Sequence, residues 1–253
     1  MNAKDKLIVA LDVDDIGRAN QLVKELKGEV GMFKVGSMLF ATAGPQFVKS
    51  VLAEGNKVFL DLKLHDIPFQ ISGAARVIGQ LGVSLFTLHA SGGIEMIRRA
   101  VEAVADGAMK ANKERPKVLA VSVLTSLDAK ALGEIGISGT PSEAVERLVK
   151  LAEDTGVDGV VCSPQEAAAV RSFTRRGFLI VTPGVRPVSD SQTASEDQKR
   201  VDTPTAAVNA GADYMVVGRP ITAAPNPVEV TRQIVAEIKA AENHAEQADA
   251  VNV

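Results

Sequence analysis

The chain has 253 residues, 46% of them hydrophobic and 23% charged, with a formal net charge of −3 at pH 7. That length and balance suit a sizeable globular core and exclude a chain that is disordered throughout. The absence of basic runs and of basic–aromatic alternation removes the electrostatic footprint of a nucleic-acid binder, so no nucleic-acid partner is expected.

The N-terminus, MNAKDKLIVALDVDD, runs into a short apolar strand and then acids, without the longer apolar region and cleavage site of a signal peptide. No apolar stretch approaches the length of a bilayer span, so no membrane association is expected. The one cysteine, Cys162, has no internal partner for a disulfide. These features together read as a cytoplasmic enzyme.

In chain order, β-rich runs alternate with longer amphipathic or Ala-rich segments. The strands are expected at Leu7–Val13, Met32–Gly36, Lys57–Lys63, Leu85–His89, Val118–Leu124, Gly159–Cys162, Phe178–Thr182 and Tyr214–Gly218. Several are continuous apolar runs, as strands buried on both faces should be. The helices are expected at Ile16–Lys27, Ser37–Ala53, Ile67–Leu81, Ile94–Ala111, Ser142–Thr155, Gln165–Thr174, Thr203–Ala210 and Val228–Ala241. Gly55, Gly82, Gly156, Gly177 and Gly211 each follow a helix and precede a strand, where a left-handed C-terminal cap belongs. Strand–helix alternation that stops after eight units argues for an α/β fold of the (β/α)8 TIM-barrel type, in a single domain. Residues 1–242 are assigned to that catalytic barrel and 243–253 to a polar C-terminal tail that frays. Two segments interrupt the rhythm. Ala131–Pro141 is Gly-rich and reads as a loop; Arg186–Gln198 is long and polar, the length of a functional lid.

In such a barrel the active site lies at the C-terminal ends of the strands. There the sequence places Asp12, Lys34, Asp61, Lys63, Asp66, His89, Thr125, Ser126, Gly184, Arg186, Gly218 and Arg219. Asp61 and Lys63 are two apart and share a strand face. Two carboxylates held about 4 Å apart repel by about 4 kcal/mol at an effective dielectric of 20. Interleaving Asp61 and Asp66 with Lys34 and Lys63 offsets that and keeps all four groups ionised. A structural ion-pair network is the alternative reading of any single Asp-x-Lys pair. TPGVR after the seventh strand and VGRP after the eighth place glycines and an arginine on adjacent loops, a frequent phosphate site in this fold. No His, Asp, Glu and Cys set has metal-site spacing, so no metal and no cofactor are expected. Cys162 reads as a core residue of the sixth strand. His65 reads as local packing or capping, and His89 as structural support at least as readily as a site residue. GEIGISG lacks the strand–turn–helix frame of a dinucleotide fingerprint, and no serine sits in a nucleophile elbow.

The string DLKLHDIP (Asp61–Pro68) resembles the signature of the bacterial-type orotidine 5'-monophosphate decarboxylases. The resemblance continues through ALDV, FKVG, LHASGG, VLTS, TPGVRP, DQKR and DYMVVGRPIT, in the family's order and over nearly the whole chain. The Asp-x-Lys-x-x-Asp element alone is shared across a superfamily with sugar-phosphate enzymes; the other motifs narrow it. The resemblance implies a lyase that decarboxylates OMP to UMP, the last step of de novo pyrimidine biosynthesis. By the same resemblance, Lys63 protonates C6 as CO2 leaves, Asp61 sits beside the substrate carboxylate, and Lys34 and Asp66 complete the charged network. Asp12 and Lys34 resemble ribose contacts, and Thr125 and Ser126 contacts near the pyrimidine. Arg186, Gln198, Gly218 and Arg219 resemble phosphate contacts, with Gln192 the alternative to Gln198. Asp66, with Ile67 and Gln70, would reach the ligand of the neighbouring subunit, implying a homodimer with shared sites. The family motif usually continues Pro-Asn-Thr, whereas here it reads Pro68-Phe69-Gln70, so the contact at Gln70 departs from the pattern. The rivals are a Mg²⁺-dependent sugar-phosphate decarboxylase or hexulose-phosphate synthase of the same superfamily, and an inactive barrel that only binds a nucleotide. Lys34 would repel the cation of the first, and the intact charged set argues against the second.

Overall fold

The computed structural model describes residues 2–187 and 202–251. Eight strands, β1 (Leu7–Ala10), β2 (Met32–Gly36), β3 (Val58–Leu64), β4 (Leu85–His89), β5 (Lys117–Val121), β6 (Gly159–Val161), β7 (Leu179–Pro183) and β8 (Tyr214–Val217), follow one another round a closed barrel. Every neighbouring pair is parallel, and β1 closes on β8 with Ile8 opposite Val216. The helices between them are α1 (Ile16–Leu26), α2 (Ser37–Ala53), α3 (Pro68–Leu81), α4 (Gly93–Lys110), α5 (Ala129–Glu134), α6 (Pro141–Glu153), α7 (Pro164–Phe173), α8 (Pro204–Asn209), α9 (Arg219–Thr222) and α10 (Pro227–Val251). The TIM-barrel reading of the sequence therefore holds.

Alternation along each strand makes two cores. Ile8, Ala10, Met32, Phe59, Leu85, Leu119, Val121, Val161, Val181 and Val216 fill the barrel interior. Their chain neighbours, such as Leu7, Val9, Phe33, Leu60, Val118 and Val160, face outward and pack under the helices. The strands are buried on both faces because both faces have something to cover them. Stepping two residues further along the inner face passes from apolar to charged: Met32 leads to Lys34, Phe59 to Asp61, and Ala10 to Asp12. The period of the strand delivers the charges to one end of the barrel.

The five glycines assigned to helix ends all have left-handed backbones, with φ between 80° and 87°. Elsewhere the structure departs from the sequence reading. Ala131–Pro141 is not wholly a loop: α5 occupies Ala129–Glu134, with the Asp128 carboxylate accepting from the Ala131 N–H at 3.0 Å as its cap. The helix expected over Ser37–Ala53 is broken at Gly44 (φ 61°, ψ −164°), because Pro45 lacks an N–H and disfavours helical geometry in the residue before it. The last helix does not stop at Ala241 but continues to Val251, through much of the stretch assigned to a frayed tail. No helix among the described residues is long and apolar enough to cross a membrane.

Candidate active site

A cavity of about 410 Å³ opens at the C-terminal rim. Asp12, Lys34, Asp61, Lys63, Thr125, Arg186, Gly218 and Arg219, all expected site residues, line it. Its floor is apolar, formed by Ala10, Phe59, Val121, Val161 and Val216 of the barrel core.

The charges form a row. The Lys34 ammonium donates to Asp12 Oδ1 at 2.9 Å and stands 3.5 Å from Asp61 Oδ2. Lys63 Nζ donates to the same Asp61 oxygen at 2.8 Å. Lys34 and Asp61 are buried, each 8% exposed, which ionised side chains rarely are unless paired. Burial is the strongest influence on the Asp61 carboxyl and pushes it up. The charges of Lys34 and Lys63 and the hydrogen bonds from Lys63 and Thr87 outweigh it and hold Asp61 below the ordinary carboxylate range. Asp61 is thus a buried anion between two ammoniums. Gly36 leaves room for this: a Cβ there would lie 3.0 Å from both Asp12 Oδ1 and Lys34 Nζ.

The seventh and eighth loops follow round the rim, with Gly218 close to the Asp12 end of the row: a Cβ there would lie 3.9 Å from Asp12 Oδ2. After β7, the Arg186 N–H donates to the Asp202 carbonyl, and the Asp202 N–H to the Gly184 carbonyl. Asp202 is thereby bonded to Gly184 and Arg186, both of which line the cavity. After β8, Gly218 precedes the short α9, which begins at Arg219, and Arg18 of α1 ties down its far end by donating to the Thr222 carbonyl at 3.0 Å. Gln198 and Gln192 lie outside the described residues.

Four expected residues are not at the cavity of their own chain. Asp66, Ile67 and Gln70 are exposed in the turn after β3 and at the start of α3, and Ser126 is exposed beyond Thr125. β3 ends at Leu64, and beyond it the Asp66 carboxylate accepts from the Ile67 N–H at 2.7 Å, with no ion pair to the charged row. Within one chain, then, the row is Asp12–Lys34–Asp61–Lys63.

Residues that the sequence reading passed over also contribute. Thr87, the inward-facing residue of β4 between Leu85 and His89, is fully buried and donates to Asp61 Oδ1 at 2.9 Å. Strand alternation back from His89 was the signal for it. Cys162 belongs to the core, as expected, and also touches the cavity. His89 is half-buried with its ring centroid 5.4 Å from that of His65. Burial, then His65 and the Lys63 charge, push its imidazole below the ordinary histidine value, against the pull of Asp61. Among the described residues no group of three or more His, Cys, Asp or Glu side chains is placed to hold a metal ion.

The chain matches the model of the orotidine 5'-phosphate decarboxylase / HUMPS family over residues 5–234. It is 49% identical over 240 residues to the orotidine 5'-phosphate decarboxylase of Moorella thermoacetica, covering 94% of each chain. It is 48% identical over 238 residues to that of Geotalea daltonii, covering 94% of this chain and 98% of that one. Among solved structures, orotidine 5'-phosphate decarboxylase from Lactobacillus acidophilus superposes with a TM-score of 0.79 at 36% identity, covering 92% of this chain and 98% of that one. The enzyme from Pyrococcus horikoshii OT3 superposes with a TM-score of 0.72 at 26% identity, covering 92% and 99%. By sequence and by fold, the chain belongs to the orotidine 5'-phosphate decarboxylase / HUMPS family.

Proposed function

We propose that this protein is a carboxy-lyase that decarboxylates orotidine 5'-monophosphate to UMP, without metal or organic cofactor. The observation that carries the reading is the buried Asp61 carboxylate held between the ammoniums of Lys34 and Lys63 on the wall of a nucleotide-sized cavity. Breaking the C6–carboxylate bond leaves its electron pair at C6 as a vinyl carbanion with little delocalisation. A fixed ammonium beside that carbon stabilises the developing charge, since it needs no reorganisation during the reaction. Lys63 then transfers a proton from Nζ to C6, becomes a neutral amine and is reprotonated by solvent. Asp61 holds the Lys63 ammonium in place, and stands beside the departing carboxylate. Lys34 and Asp12 take the ribose hydroxyls, and Thr125 lies near the pyrimidine, with Ser126 further out on the same loop.

Arg186, Gly218 and Arg219, with Gln198, take the phosphate. Glycine lets the backbone come close and the guanidinium fork matches phosphate oxygens. Binding energy from that distant group assembles the reacting end.

The protein works as a homodimer in this reading, with Asp66, Ile67 and Gln70 completing the partner's site. Its support is local: these residues stand off their own cavity, and Ile67 and the neighbouring Phe69 are 62% and 80% exposed, a cost that burial against a second copy would remove.

The test is the loss of OMP absorbance with UMP as product, followed with and without EDTA. The expected result is turnover at an unchanged rate after exhaustive chelation. Activity that vanished with EDTA and returned with Mg²⁺, or turnover of a sugar phosphate and not OMP, would favour the sugar-phosphate rival.

A further inference from the structure

Lys63 has a backbone φ of 49°, and among the described residues only Asn112 shares a positive value outside glycine. A lysine in that conformation is strained and persists only where its surroundings hold it. The pairing of β3 with β4 shows what does. Leu60 is opposite Phe86 and Leu64 is opposite Leu88, so Asp61, Leu62 and Lys63 together face the single residue Thr87. Such a bulge takes backbone groups out of the ladder and re-aims side chains. The Lys63 N–H, freed in this way, donates to the Thr87 hydroxyl at 2.9 Å. That hydroxyl has one proton, and an ionised carboxylate only accepts, so the proton goes to Asp61 Oδ1, also at 2.9 Å. With Oδ1 fixed by Thr87, Oδ2 is the oxygen presented to Lys63 at 2.8 Å and to Lys34 at 3.5 Å.

The geometry points to Thr87 as a positioning residue: one buried hydroxyl locks the left-handed turn at Lys63 and the carboxylate plane of Asp61 together. The ammonium and the carboxylate then keep one relative placement through turnover. This rests on the roles proposed above for Lys63 and Asp61. Because Thr87 is fully buried and touches both residues from a neighbouring strand, its effect falls on their aim and not on substrate contact.

Two substitutions separate hydroxyl from methyl. Thr87→Val removes the hydroxyl and keeps the branched shape, while Thr87→Ser keeps the hydroxyl and removes the methyl. Both are assayed well below their melting temperatures. Thr87→Val is expected to lower kcat by about 10- to 100-fold, the scale of a small misplacement at a reacting centre, with KM changing far less. Thr87→Ser is expected to restore most of that kcat. Should Thr87→Val fail to fold, Thr87→Ala takes its place against Thr87→Ser. A hydroxyl-free variant with kcat within about twofold of wild type, under roughly 0.4 kcal/mol, would overturn the inference. So would a serine variant that falls as far as the valine one, since the methyl would then be the part that matters. Lys63→Ala is run alongside. If it remains active, the proposed mechanism fails and this inference with it; if it is inactive while Thr87→Val turns over normally, only the role of Thr87 fails.

Discussion

At Asp61 burial and charge act in opposite directions, and charge prevails: the carboxyl is held below its ordinary value inside the barrel rim. A carboxylate with a depressed folded-state pKa contributes stability that is fully present above its unfolded value, near ~3.9, and lost as pH falls through the folded value. Thermal unfolding followed from neutral pH downward should therefore show the wild type losing stability more steeply below about pH 4 than Asp61→Asn, which has no such proton to take up. Parallel curves would mean that Asp61 is not held ionised by its neighbours. On the loop after β8, Arg219→Ala should lower kcat/KM for OMP by about 2–3 kcal/mol, roughly 30- to 150-fold. The unphosphorylated nucleoside orotidine, a very poor substrate, should be almost unaffected. Equal losses on both substrates would assign Arg219 to barrel support and not to phosphate.

The helices owe their placement to close approaches that only small residues allow. Where α3 crosses α4, a Cβ on Gly107 would lie 2.0 Å from the Arg76 carbonyl oxygen, and one on Gly79 would lie 2.3 Å from that of Val104. The obstacles are backbone and cannot rotate away. Gly107→Ala should accordingly cost about 1–3 kcal/mol, read as a lower urea midpoint with unchanged slope. A midpoint equal to wild type would show that the helices separate freely. The sequence was most readable where a single period governs an element. Short β-rich runs, several of them continuously apolar, marked the eight strands, and five glycines marked helix ends. The two-residue step from Phe59 through Asp61 to Lys63 put the charges at the correct rim. It was less readable where geometry depends on a neighbouring element. The bulge opposite Thr87, the kink at Gly44 and the short α5 capped by Asp128 leave no periodic trace, since each depends on one or two local bonds. Asp66 was expected at the neighbouring subunit's site by resemblance to the family motif, and its exposed place off its own cavity is compatible with that expectation.

For the whole molecule, the separation of Asp66, Ile67 and Gln70 from their own cavity matters most. In the two-fold dimer proposed here, Lys63→Ala and Asp66→Asn would each be nearly inactive alone. When equal amounts are mixed and exchanged, about half the dimers should be mixed, each with one site carrying both lesions and one intact. About a quarter of all sites should then recover. No recovery, with mixed dimers verified by native mass spectrometry, would place Asp66 in its own subunit's site.

The central claim, that a barrel-rim lysine beside a buried carboxylate delivers the proton to C6, is tested most directly by the kcat of Lys63→Ala on OMP. Its folding and UMP binding are measured in parallel. The account predicts a folded protein that still binds UMP and has lost nearly all decarboxylation. A variant that kept more than about a tenth of the wild-type kcat, a loss under roughly 1.4 kcal/mol, would contradict it.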